Sequence, residues 1–240
     1  MELYVFEFLF ILIKNIFYVL GIDYVVDKNN KKHNPKYIQS KNHNSLSKHI
    51  YYLIGASVVE TLSFNLIAKL INVNMNVNYL YTFLLFIPIS FLVEIIFDFF
   101  HYWTHRLAHT NDFLYKYVHK THHETTKLTA IVTFFQNPID YILTNFIPFF
   151  LALSIIKYIF GIKYDLFMYS LLNIYKEFIE IAGHTIQYKN TPSFPQFIWL
   201  PKYFYIELLQ KDHHNHHKYV QCNYSKRFTL WDKLFETYKY

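Results

Sequence analysis

An all-α, membrane-embedded fold is what this sequence of 240 residues predicts, and three observations predict it. Apolar residues make up 53% of the chain and aromatics 21%, while charged residues fall to 17%, below the roughly 25% of ordinary globular proteins. The apolar residues are clustered into five long stretches. Eleven of the fourteen histidines lie after residue 100, at spacings of three and four that repeat along one helix face. The expected architecture is a set of helical hairpins, about four spanning helices with a fifth N-terminal candidate. They are capped by a cytosolic, His-rich helical domain that holds two metals.

The apolar stretches cover residues 4–20, 51–71, 79–100, 139–160 and 164–182. About 20 helical residues cross a bilayer, so the third and fourth are the firmest spans. Lys14 interrupts the first, which reads as an interfacial segment or as the extra N-terminal span. The second and fifth carry Glu60, Lys69, Lys176, Glu177 and Glu180, and charge inside a spanning helix requires a partner. Residues 27–49 read as a solvated loop, and Lys28, Lys31, Lys32, Lys36, Lys41 and Lys48 around it place it in the cytosol. The uncharged connector 72–78, NVNMNVN, suits a short turn on the far side. Two hairpins follow, at about 50–100 and 139–182, and both His-rich segments return to the cytosolic face. The division expected is an N-terminal apolar segment and basic loop over 1–50, then a membrane catalytic domain over 51–240.

Several function classes are excluded by composition. Cys222 is the single cysteine, so there is neither an intrachain disulfide nor a CxxC site, and any metal must use other ligands. The net charge of +6 comes from lysines scattered through loops, with no basic, aromatic-interleaved module for nucleic acid. Glu2 and Glu7 stand where a cleavable signal would carry a basic region.

Three groups of histidines carry chemistry. In HYWTHRLAH, His101, His105 and His109 are four residues apart, which stacks their imidazoles along one helix face. HKTHH supplies His119, His122 and His123, and DHHNHH supplies His213, His216 and His217 in the same HxxHH spacing, with His214 as a bystander. In HxxHH the first two histidines share a face and the third points about 100° away, so one short helix can serve two metals. Two such boxes and the pair His105/His109 give eight imidazoles, enough for two irons with positions left open for oxygen. A structural zinc needs four ligands. His33, His43 and His49 have no ligand spacing.

At this point the sequence resembles the fatty acid hydroxylase and sterol desaturase superfamily. DFFHYWTHR with LAH, LYKYVHKTHH, DHHNHH and CNYSKRFTLWDKLFETY carry the resemblance, over roughly residues 79–240, nearest to the sterol 4-methyl oxidase and sterol desaturase branches. It implies that His105, His109, His119, His122, His123, His213, His216 and His217 are metal ligands, and that His184 in EIAGHT is a ninth. Glu177 and Glu180 precede His184 on the same helix face. His101 matches only some branches and is a secondary candidate. The resemblance also implies that the terminal CNYSKRFTLWDKLFETY covers the metal site; an interfacial anchor is the other reading of its Trp and Tyr residues.

Metal-bound histidines usually donate their second ring N–H to a carboxylate or carbonyl. Glu94, Asp98, His101 and His105 form one stripe, and Asp98 and Glu180 are the expected partners, with Asp212 and Asp140 behind them. The resemblance implies a di-iron enzyme that uses O2 to hydroxylate or desaturate a lipid. The four glycines form no GxGxxG and no HPGG heme segment is present, so electrons must come from a separate protein such as cytochrome b5 or its reductase. The endoplasmic reticulum or an equivalent endomembrane is the expected location. A zinc site on the same scaffold and a metal transporter are the alternatives.

Overall fold

The computed structural model describes residues 2–33, 46–124, 129–185 and 199–239, and all long elements among them are helices. Four helices are long and apolar enough to cross a membrane, and the chain is accordingly multi-pass. The first is α1 (Glu2–His33), followed by α2 (Leu46–Leu70) and α3 (Tyr79–Thr110). The fourth combines α6 (Pro138–Tyr141), a π-helical turn (Ile142–Phe146) and α7 (Ile147–Phe160). Between α3 and α6 lie α4 (Asp112–Leu114), a second π-helical turn (Tyr115–His119), α5 (Lys120–His123) and a 3-10 turn (Ala130–Phe134). Then come α8 (Leu166–Gly183), α9 (Trp199–Tyr203), α10 (Gln210–Tyr219) and α11 (Leu230–Leu234).

Two sequence expectations change. Residues 27–33 belong to α1 rather than to a loop, while 34–45, with Lys36, Lys41 and His43, lie outside the described residues, as does the side chain of His33. The first apolar stretch therefore joins the candidate spans despite Lys14. That ammonium is only 9% exposed and pairs with Glu60 of α2, itself 11% exposed. The fifth stretch forms α8, which is more charged than the other four and runs from the turn after α7 to the His-rich end of the bundle. On α8, Lys176, Glu177 and Glu180 are buried inside the bundle, where Lys176 pairs with Glu177 at 3.7 Å. Each charge that the sequence placed in an apolar helix thus has a partner on the bundle interior, except Lys69, which is exposed in the last turn of α2.

The outward faces are greasy: Phe17, Phe83 and Ile159 are all more than 70% exposed, as lipid-facing side chains should be. Inside, Ile67, Val93, Phe97, Phe149, Leu153 and Met168 join α2, α3, α7 and α8 into one cluster. Lipid tails are as apolar as these side chains, so close packing and polar contacts hold such helices together rather than the hydrophobic effect. The main polar contact is Asp165. Its carboxylate accepts the Met168 N–H at 2.7 Å as the N-cap of α8, and the Asn78 N–H at 2.7 Å just before α3. Around it, Leu166 donates to the Asn74 carbonyl and Asn74 to that of Tyr164. Gly161, at φ +70°, ends α7 in the left-handed conformation that lets the chain turn back.

The turns after α2 and after α7 are thereby tied at one end of the bundle, which sends the far ends of α3 and α8 to the same opposite end. At 1.5 Å per residue, α3 runs about 48 Å against a hydrocarbon core of about 30 Å. Its last turns, with His101, His105 and His109, project past the apolar layer. Asp165→Ala should lower stability in detergent by about 2 kcal/mol, the scale for losing a cap and a charge-assisted bond. Asp165→Asn should lose clearly less, and equal denaturation midpoints for Asp165→Ala and wild type would contradict the clamp.

Candidate metal centre

Local sequence folds each His box toward the next. Asn111 leaves helical geometry at φ −98° and ψ 115°, ending α3, and its side chain accepts the Leu114 N–H at 3.0 Å to start α4. The chain turns there, and the π-helical turn after α4 delivers His119 against His105 and His109. Asn137 repeats the device, accepting the Ile139 N–H at 2.8 Å with Pro138 at the first helical position, which sets Asp140 in the opening turn of α6. His184 caps α8, and α10 carries His213, His216 and His217 on its buried side.

The nine histidines form two groups that could each hold a metal ion. His105, His109, His119, His123 and His216 make one, and His122, His184, His213 and His217 the other; within each, the candidate ligand nitrogens lie within 4.8 Å of one another. The groups adjoin, with the ring centroids of His123 and His217 4.7 Å apart. Each HxxHH box serves both groups, as its spacing predicts, but the division differs. The residues four apart, His119 with His123 and His213 with His217, stay together, and the middle histidine crosses over. On a helix, i and i+4 face one way more closely than i and i+3 do.

Hydrogen bonding tests whether these imidazoles suit a cation. His105 Nδ1 lies 2.8 Å from the Tyr224 carbonyl, His216 Nδ1 2.6 Å from that of Cys222, and His184 Nδ1 2.8 Å from that of Glu180. A carbonyl oxygen only accepts, so each Nδ1 carries the proton and each Nε2 presents a lone pair. His119 Nδ1 is 2.9 Å from both carboxylate oxygens of Asp140, with the same consequence. The Nε2 atoms of His105 and His119 nevertheless face each other at 3.2 Å, as do those of His109 and His216. In the second group His184 and His213 do so at 3.1 Å. Lone pairs aimed together in a buried space repel unless a cation lies among them. Among the described residues, both ring nitrogens of His217 are buried without a hydrogen-bond partner, which costs about 1–3 kcal/mol per group unless something binds there. Burial pushes the His216 imidazole down to about 3 and the His184 imidazole down to about 4, the latter against the opposing pull of Glu180, so both are neutral donors at pH 7. The residues fit two bound metals.

The expected acidic partners are redistributed. Asp140 is the carboxylate that meets a histidine directly. Asp98 instead accepts the backbone N–H groups of Lys226, Arg227 and Phe228 at 2.7, 2.9 and 3.0 Å. The side chain of Glu180 binds Arg227 at 3.0 Å and Lys226, whose charges outweigh its burial and hold the carboxyl below its ordinary range. Arg227 also reaches Glu94. Asp212 accepts the Leu209 N–H at 2.8 Å and so caps α10. The acidic stripe therefore anchors the C-terminal segment, and only through it the histidines, because that segment supplies the Cys222 and Tyr224 carbonyls. Asp232 completes the anchorage by accepting the Tyr224 and Ser225 N–H groups, both at 2.8 Å. The Tyr224 ring lies 5.5 Å from that of His109 and the Phe235 ring 5.2 Å from that of Tyr102, so the segment covers the end of α3.

His101 stands outside both groups: its Nδ1 is 2.6 Å from the Thr144 carbonyl and its ring stacks on Phe97 at 5.7 Å. His214 is half-buried and also outside, and His49 is buried beside Phe135. The Cys222 and Tyr224 carbonyls had no signal in the sequence, since every residue has a carbonyl. Asp140 had one in NPID, a Pro-opened turn with a carboxylate.

The sequence model of the fatty acid hydroxylase family matches residues 90–237, the stretch that holds all nine histidines and the segment covering them. The chain belongs to this family. A fatty acid hydroxylase of Lecanicillium sp is 29% identical over 61% of the chain and 40% of its own length. A C-4 methylsterol oxidase of Schizosaccharomyces pombe is 26% identical over 63% and 46%, and a sphingolipid C4-hydroxylase of Saccharomyces cerevisiae 28% over 58% and 37%. The chain thus spans less than half the length of these family members. No solved structure matches it significantly.

Asp140→Asn should weaken metal binding about 10–100-fold, the usual scale for losing a carboxylate behind a histidine ligand, with membrane insertion unchanged. Metal titration of purified protein reads this, and an unaltered affinity would remove Asp140 from the centre.

Proposed function

We propose that the protein is a membrane-bound di-iron oxidoreductase that uses O2 to hydroxylate or desaturate a lipid of sterol or fatty acyl type. The observation that carries the reading is the pair of adjoining groups of imidazoles, five and four in number, buried except for the partly buried His123. Two iron ions bound there would supply the O2-dependent oxidation of an unactivated C–H bond. His105, His109, His119, His123 and His216 would hold one ion, and His122, His184, His213 and His217 the other. Asp140 and the carbonyls of Tyr224, Cys222 and Glu180 fix the ring orientations and keep the protons on Nδ1. The burial of the rings excludes bulk water, and the segment over α3 narrows access to the face that meets the membrane.

The names of the relatives support lipid as the substrate class, since they speak of fatty acid, methylsterol and sphingolipid. Zinc is the second reading for the four-histidine group, because four nitrogen donors match its tetrahedral preference; five in the other group exceed it. The electron donor is a separate protein, cytochrome b5 or a reductase. A cytosolic metal face in the endoplasmic reticulum or an equivalent endomembrane is supported by the end of α1. There Asp23 accepts the Ala130 N–H at 3.0 Å, beside the His-rich end, and the exposed Lys28, Lys31 and Lys32 follow within the next turns.

Lipid profiling of cells expressing the wild-type chain and His119→Ala tests the proposal. Wild-type cells should accumulate a lipid one oxygen heavier, or two hydrogens lighter, than its precursor, and His119→Ala cells should lack it. Identical profiles from equally expressed proteins, with the wild type carrying both metals and an electron donor supplied, would contradict the reading.

A further inference from the structure

A second site lies at the His-rich end of the bundle, where α2 begins. The first turns of α2, the residue that follows α5 and the end of the 3-10 turn enclose an open cavity of about 450 Å³, lined by Lys48, Tyr51, Tyr52, Glu124 and Phe135. That size falls within the roughly 300–1,000 Å³ of small-ligand sites. None of the nine histidines lines it. Lys48 is the first residue of the part of α2 that is long and apolar enough to cross a membrane, so the cavity stands at the level of the lipid headgroups.

Rings and charges in the lining define what fits. The Tyr51 and Tyr52 rings have centroids 5.5 Å apart with planes at 80°, and those of Tyr52 and Phe135 are 4.7 Å apart at 68°. Ring faces set at steep angles around a space suit a quaternary ammonium, which the negative faces attract and which needs no hydrogen bond. Tyr51 is 73% exposed, so the outer ring is free to close on a ligand. Lys48 and Glu124 face the same space with opposite charges and do not pair. Among the described residues neither side chain has a hydrogen-bond or ion-pair partner. An anionic headgroup would suit Lys48 but meet Glu124 and the ring faces; a cationic one would meet Lys48. A zwitterion with phosphate and ammonium on either side of a two-carbon link satisfies both. The hydrocarbon has a path as well, because Ile54, Val58 and Leu62 continue from Tyr51 at helical spacing along the outside of α2, each more than 40% exposed. We propose that this cavity binds the headgroup of a phosphocholine-type phospholipid, with the ammonium among Tyr51, Tyr52, Phe135 and Glu124, the phosphate on Lys48 and an acyl chain along α2.

Native mass spectrometry of the detergent-solubilised full chain, titrated with dioctanoyl phosphatidylcholine or dioctanoyl phosphatidylglycerol, tests this. The wild type should take up one phosphatidylcholine saturably. It should hold that lipid about tenfold more tightly than phosphatidylglycerol, which keeps the phosphate but lacks the ammonium; this corresponds to about 1.4 kcal/mol. Tyr51→Leu, which removes an exposed ring and keeps its bulk, should abolish the preference, and Tyr51→Phe should retain it. Lys48→Gln should weaken both lipids, with metal content at the wild-type level in every variant. Equal affinity of the wild type for the two lipids, adducts that accumulate without saturation, a preference that survives Tyr51→Leu, or unaltered binding by Lys48→Gln would overturn the site. Glycerophosphocholine competing as strongly as the dioctanoyl lipid would overturn a membrane lipid as the occupant. The wild-type comparison needs no variant to fold, and none of these readouts depends on the proposed oxidase activity, so the two readings fail separately.

Discussion

Imidazole lone pairs directed at one another about 3 Å apart, in a space closed to water, form the constraint on which the rest of the structure depends. Neutral histidines are needed, because protonated ones could neither coordinate nor crowd so closely. Neutrality is enforced twice. Burial disfavours the charged ring, and acceptors at Nδ1 hold the single proton on the outer nitrogen. Tyr224, Cys222 and Glu180 do this with backbone carbonyls and Asp140 with a carboxylate. Without metal the arrangement is electrostatically unfavourable, so the energy that assembles it must come from elsewhere in the chain.

That energy comes from opposite ends of the molecule. At one end Asp165 ties the turn before α3 to the start of α8, so both helices deliver their histidines together at the other. At the metal end Asp98 grips three consecutive N–H groups of the C-terminal segment, and Arg227 bridges Glu94 and Glu180. These contacts lie where water is scarce, which strengthens each and makes each costly to leave half-made. The segment so held returns two carbonyls to the histidines. Acidic residues on α3 and α8 thus govern the centre indirectly, by fixing the backbone that orients its ligands.

Much of this was legible in the sequence because it is written in spacing. Histidines three and four apart declare a helix face, and the uncharged connector 72–78 between apolar stretches declares a turn, so the hairpins and the common His-rich end could be read directly. Partners distant in sequence could not. Lys14 looked like an interruption because its neutralising Glu60 is 46 residues away, and Asp98 looked like a histidine partner because the three N–H groups it binds lie about 130 positions on. The division of each HxxHH box between two metals turned on a choice between neighbours at i+3 and i+4, which lie about 60° to one side and 40° to the other of residue i on a helix. Backbone acceptors carry no residue signature at all.

The proposed function stands or falls on nine imidazoles holding two irons side by side. Mössbauer spectroscopy with metal analysis, on full-length protein purified anaerobically and reconstituted with ferrous iron, addresses it most directly. The expected result is two irons per chain in two distinct nitrogen-rich environments, one with five histidines and one with four. A single iron environment at one equivalent per chain, or a protein that retains only zinc after reconstitution, would contradict it.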